Sequence, residues 1–142
     1  MIVTDESTEN NAEDWPKLVW IFDARDEKTS SPIATCPLPP VDAYANRGGR
    51  FGAHNIHENP PVPTAWQSDQ IVIGTFFNGG LRAYDISNPY QPKEVGSLCR
   101  RHRRKARRQV RFSSTTCSWT NAASFTPVDR HTGGLYILEM DF

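Results

Sequence analysis

Apolar residues in this chain come in short runs, β-branched and aromatic, and Pro or Gly interrupts nearly every window long enough to hold a helical stripe. Such runs are the mark of strands. Five are expected: Ile2 to Thr4, Leu18 to Asp23, Ile71 to Phe77, Leu81 to Ile86 and Leu135 to Met140. "VWIFDA", "LRAYDI" and "LYILEM" share an apolar start, an alternating body and an acid at the fifth position, Asp23, Asp85 and Glu139. The last two follow a Gly-Gly pair, Gly79-Gly80 and Gly133-Gly134. A two-residue hairpin turn needs positive φ, which glycine supplies without steric cost, so "IVIGTFFNGGLRAYDIS" reads as one hairpin. After the first two acids, "ARDEKTSSPIATC" and "ISNPYQPKEVGSL" each pass through a Pro-containing turn into a further strand. The acids stand 62 and 54 residues apart, a spacing suited to a four-stranded propeller blade with loop insertions.

These segments carry a resemblance. "GAHNIHENPP", "GTFFNGGLRAYDISNPYQPKEVG" and "VDRHTGGLYILEMDF" resemble the LVIVD-repeat β-propeller proteins, whose repeats end in a strand followed by D-I-S-[DN]-P. The likeness covers about residues 15 to 98 and 128 to 142. It implies an all-β chain, a β-propeller fragment built of blade-like antiparallel repeats, with residues 1–142 as a partial propeller of about two to three blades. It implies little chemistry, because propellers serve as binding modules, scaffolds and enzymes alike. The expected function is therefore that of a binding or scaffold module without assigned catalysis, for a ligand or protein partner the sequence does not identify. Its mouth would be formed by loops such as 46–60 and 128–133.

Charge changes the picture at one place. The chain has sixteen basic and sixteen acidic residues, yet "CRRHRRKARRQVRF", Cys99 to Phe112, holds eight of the bases, and no acid occurs between Glu94 and Asp129. Without that run the chain is acidic. Residues 99–127 are thus an anomalous basic and polar segment, with three readings: an arginine-rich arm neutralising phosphates, a disordered insert, or a stretch translated in a displaced frame. The third is favoured. If each codon takes the last base of one codon and the first two of the next, CGN arginines become Ser, Pro, Thr or Ala, and Trp119 followed by Thr120 forces an Asp. One permitted translation contains V-F-V-D-E-R-G-I-V-Y, two alternating strands about an Asp/Gly turn leading into Val128-Asp129-Arg130, where the family pattern continues with a hairpin. Nucleic acid as a partner is disfavoured accordingly.

Candidate chemistry centres on "GAHNIHEN", Gly52 to Asn59. His54 and His57, with Glu58 and the later His131, are candidate ligands for a transition metal, since imidazole suits copper, zinc or iron and a propeller mouth gathers loops from several blades. Distantly similar selenium-binding-protein and methanethiol-oxidase propellers use histidines for metal, which makes a metal-dependent oxidoreductase the alternative function. The bland alternative is loop histidines held by hydrogen bonds, and Pro60-Pro61 argues against a helix carrying H-x-x-H. Asp23, Asp85 and Glu139, like Gly79, Gly80, Gly133 and Gly134, are read as turn-forming residues. Trp15, Trp20, Phe76, Phe77 and Tyr84 could stack a ligand, but alternating strand positions favour packing between sheets. "RGGRFG", Arg47 to Gly52, reads as a flexible loop over a single RNA-binding element.

Cys36, Cys99 and Cys117 form neither a C-x-x-C pair nor an even set, so no disulfide framework or cysteine zinc site is expected. No catalytic nucleophile elbow or phosphate loop is present. No apolar run reaches the ~18 residues needed to cross a bilayer, and no signal pattern follows Met1; compartment stays unassigned.

Overall fold

The structure, a computed structural model, describes residues 1–99, 124–128 and 134–139. The described chain is all-β. A first sheet is the antiparallel meander β1 (Ile2–Thr4), β2 (Val19–Asp23) and β3 (Ser31–Thr35); a second is β4 (Ile71–Thr75), β5 (Leu81–Asp85) and β6 (Lys93–Leu98). β7 (Ser124–Phe125) and β8 (Leu138–Glu139) pair as a third, two-stranded sheet. Two single-turn 3-10 segments, Val41–Ala43 and Ala45–Arg47, interrupt the long connection from β3 to β4. Among the described residues no helix is long and apolar enough to cross a membrane.

The first two sheets share one ladder. Trp20 pairs with Thr35, Ile21 with Ala34, Phe22 with Pro32 and Asp23 with Ser31. Sixty-two residues later, Arg82 pairs with Ser97, Ala83 with Gly96, Tyr84 with Glu94 and Asp85 with Lys93. A bulge falls at the same step in each, between Ile21 and Phe22 and between Ala83 and Tyr84. An extra residue at a fixed point increases the local twist, so both outer strands turn away from their neighbours alike. The third sheet follows suit: Ser124 pairs with Glu139, Phe125 with Leu138, and Val128 forms a bridge with Leu135, the steps that Ile71–Asp85, Val72–Tyr84 and Thr75–Leu81 occupy in the second.

Alternation along β2, β5 and residues 135–139 sets two faces. One, here the leading face, carries Val19 and Ile21 in the first sheet, Leu81 and Ala83 in the second, and Leu135 and Ile137 in the third. The trailing face carries Trp20 and Phe22, then Arg82 and Tyr84, then Tyr136 and Leu138. The leading face of the first sheet packs with Phe76 and Tyr84 of the second in one core that also holds Cys36 and Ala53. Leu81, Ala83 and Ile73, on the leading face of the second, pack with Leu138 of the third. Three sheets are therefore stacked leading face to trailing face, and each fully buried Val, Ile or Phe contributes about 1.5–3 kcal/mol.

Ends of elements depart from expectation where tertiary contacts intervene. β4 stops at Thr75 instead of Phe77, and the reversal before β5 spans Phe76 to Gly80 where a two-residue Gly-Gly turn was expected. Phe77 itself takes φ +43° and bridges to Phe51, which pulls two residues out of the strand and into the turn. Of the pair, Gly80 holds the positive φ, +77°, and a Cβ there would lie 2.1 Å from the Leu98 carbonyl oxygen. β8 begins at Leu138, with Leu135 held by a single bridge. His131 and Gly133 lie outside the described residues, as does the segment 100–123.

Candidate functional site

Residues 53–57 run extended beside β4, with the amides of His54 and His57 donating to Thr75 O (2.9 Å) and Ile73 O (2.8 Å) and the Thr75 amide donating to Asn55 O (2.8 Å). The segment enters through Gly52, where φ is +151° and a Cβ would stand 2.8 Å from the β-carbons of Ser7 and Lys17; only glycine fits. Ala53 is fully buried in the core between the first two sheets and so anchors the histidine loop to the stack.

Three residues apart on an extended chain, His54 and His57 leave it on opposite sides, and each meets its own partners. The His54 ring stacks on Phe77 with centroids 4.4 Å apart and planes 6° from parallel. Its Nδ1 lies 3.7 Å from Glu6 Oε1, and Arg50 Nη1 reaches the same oxygen at 3.2 Å. Arg50 also sits 5.5 Å above the Phe77 ring, so a cation and an imidazole both contact that ring. His57 Nε2 lies 2.9 Å from the Trp66 carbonyl oxygen. A carbonyl only accepts, so Nε2 carries the proton and is engaged as a donor. The two rings are not brought onto one centre, and among the described residues no group of three or more His, Cys, Asp or Glu could hold a metal ion. Glu58 faces instead a cleft between the first and second sheets.

That cleft encloses about 980 Å³ at the ends of β2 and β5. Its floor is aliphatic: Ile2, Ile21, Ile33, Ile56, Ile71 and Ile86. Its rim is polar, with Asp23, Arg25, His57, Glu58, Asp69 and Tyr90. Asp23 is paired with Arg25, whose Nε lies 3.0 Å from each carboxylate oxygen. That side-chain bond, with the Arg25 amide donating to Oδ1, holds the Asp23 carboxyl down to about 2. Asp85 makes the matching turn, accepting the Ser87 amide at 2.8 Å, and its carboxyl is likewise held below the ordinary range by the Ser87 hydroxyl and amide. Of the three expected turn acids, Asp23 and Asp85 accept from their own i+2 amides, whereas Glu139 lies within β8, paired with Ser124. With Arg25 and the Met1 ammonium set against Asp23, Glu58 and Asp69, the described rim keeps one net negative charge. Aliphatic floor and acidic rim together suit a ligand with a hydrocarbon body and a basic end.

A second polar cluster, invisible in the sequence, lies at the other end of β5. Arg82 is 4 % exposed, donating from Nη2 to Tyr44 Oη (2.7 Å) and Gly79 O (3.0 Å) and from Nη1 to Glu94 Oε1 (3.1 Å). Tyr44 stacks on Phe51, and Phe51 on Trp15, at 5.2 and 4.9 Å with 13° between planes in each pair. Arg47 lies 4.3 Å over the outer side of this column. The "RGGRFG" loop is accordingly folded inward on aromatic rings, with Gly48 and Gly49 at φ +74° and +80° making its turn. Trp15, Phe76, Phe77 and Tyr84 all pack within the protein, and Trp20 donates its indole N–H to Asp5 Oδ2 at 2.9 Å.

Comparison with family models, with curated proteins and with solved structures returns no match for this chain.

Proposed function

We propose that the chain is a partial β-propeller of the LVIVD-repeat kind, and that it works as a binding module whose ligand occupies the cleft between the first two sheets. The repeat of ladder register and bulge at a 62-residue offset supports the radial arrangement, because sheets of equal twist stacked face on face splay about a common axis. The cleft carries the binding assignment: six isoleucines beneath a rim where, among the described residues, Asp23, Glu58 and Asp69 outnumber Arg25 and the Met1 ammonium by one charge. Aliphatic surface supplies affinity, and the acidic rim selects a cationic group.

Titration with octylammonium and with octanoate, followed by methyl NMR, tests this. Octylammonium is expected to shift the methyls of Ile33, Ile56 and Ile86, with the effect reduced at least several-fold in a Glu58→Lys, Asp69→Lys double variant. Equal response to octanoate, or no response to either compound, overturns the assignment.

A further inference from the structure

Among the described residues, the stacking rule leaves two faces without a partner sheet. In the third sheet the leading face is open: Val128 is 40 %, Leu135 62 % and Ile137 73 % exposed, and these three lie together, because Val128 and Leu135 are bridged and Ile137 follows Leu135 by two. At the other end the trailing face of the first sheet carries Val3, 40 % exposed, beside half-buried Trp20 and Phe22, whose rings are 6.4 Å apart. Val3 and Trp20 are ladder partners, so this too is one surface. An open leading face at one end and an open trailing face at the other are the two halves of a contact that the chain already makes twice within itself.

We propose that the protein self-associates head to tail, the Val128–Leu135–Ile137 face of one copy seating on the Val3–Trp20–Phe22 face of the next. The occupant is a second copy because the complementary surface exists on this chain, and because the same leading-on-trailing packing, in the same register, forms both internal cores. Such a contact is heterologous: it joins different patches, and the assembly closes as a ring if the accumulated rotation returns on itself and extends as a filament if it does not. The proposal rests on the stacked-sheet reading given above and is independent of what fills the cleft.

Sedimentation analysis of the 142-residue chain, up to roughly 100 µM where a micromolar contact is populated, tests it. The wild type is expected to grow with concentration beyond the monomer. Val3→Glu and Ile137→Glu are each expected to be monomeric alone, since each retains one half of the contact, and to form a 1:1 heterodimer that grows no further when mixed. A monomeric wild type, a single variant that dimerises with itself, or a mixture that stays monomeric each overturns the proposal. Should a glutamate variant fail to fold, Val3→Cys and Leu135→Cys chains carrying different isotopes serve instead: a mixed 3–135 disulfide peptide supports the contact, and only like-with-like peptides refute it. Failure of the stacking itself is read separately, as loss of NOEs linking the Val19 and Ile21 methyls with the Phe76 and Tyr84 rings in the same samples.

Discussion

Arg82 Nη1 stands 3.1 Å from Glu94 Oε1, joining a guanidinium that is 4 % exposed to a carboxylate that is 28 % exposed. Tyr44 Oη and Gly79 O take the Nη2 donors, so among the described residues Glu94 is the one carboxylate bonded to this buried cation. Removing one partner of a buried pair leaves a charge uncompensated, and partial solvation of Glu94 reduces the cost. Glu94→Ala is expected to lower stability by about 1–3 kcal/mol in urea unfolding, and Arg82→Met, which removes the cation itself, to cost less than Arg82→Ala.

Gly80 and Gly96 separate conformational need from chance. At Gly80 a side chain meets both the positive φ and the Leu98 carbonyl, whereas a Cβ at Gly96 would sit in ordinary contact, 3.6 Å from Ala83 Cβ. Gly80→Ala is expected to destabilise by about 2–4 kcal/mol and Gly96→Ala to stay within about 0.5 kcal/mol. Equal midpoints for the two variants would refute the turn assignment.

Acid should reveal Asp23. Its folded pKa, about 2, lies below the ordinary 3.8, so the pairing with Arg25 favours the folded state above pH 3.8 and is lost as pH falls through about 2. Asp23→Asn keeps an acceptor for the turn and removes the charge. The stability gap between wild type and this variant is expected to shrink between pH 3.8 and about 2, with the Asp23 carboxyl carbon titrating near the lower limit in NMR.

Cys36 is 2 % exposed, and burial pushes its thiol up to about 12. The thiolate is the reacting form. Iodoacetamide at pH 8 is expected to spare Cys36 in the folded protein and to modify it at the rate of unfolding as urea is added, read by peptide mass. Rapid modification without denaturant would place Cys36 outside the core.

The basic run makes a prediction about nucleic acid that is the gene's own. Across codons 98 to 128, the displaced frame is expected to be open and to encode alternating apolar residues about an Asp/Gly turn. Stop codons in that frame would remove the reading and return the arginines to the protein as written.

Strands were legible because alternation and turn residues are local. Ile2–Thr4 and the cores of β2, β4 and β5 follow directly from their β-branched runs, and Asp23 and Asp85 cap turns as their repeat position implies. Long-range partnerships were not legible. Nothing near Arg82 in sequence announces Tyr44, and nothing near His54 announces Glu6, 48 positions earlier. His54 and His57 were read as joint ligands from their chemistry and spacing alone, while hydrogen bonding to β4 draws their segment straight and parts the two rings. The cleft was equally hidden, since its floor takes six isoleucines from six separate segments.

β3 and β6 are the outermost strands of their sheets, and each is guarded along its rim: Pro32 lacks an amide to offer a newcomer, and Lys93 and Glu94 set opposite charges on the opening rungs of β6. Lateral annealing of another β-segment is thereby discouraged. Self-association of the kind proposed would instead run in one dimension, along the pile of sheets.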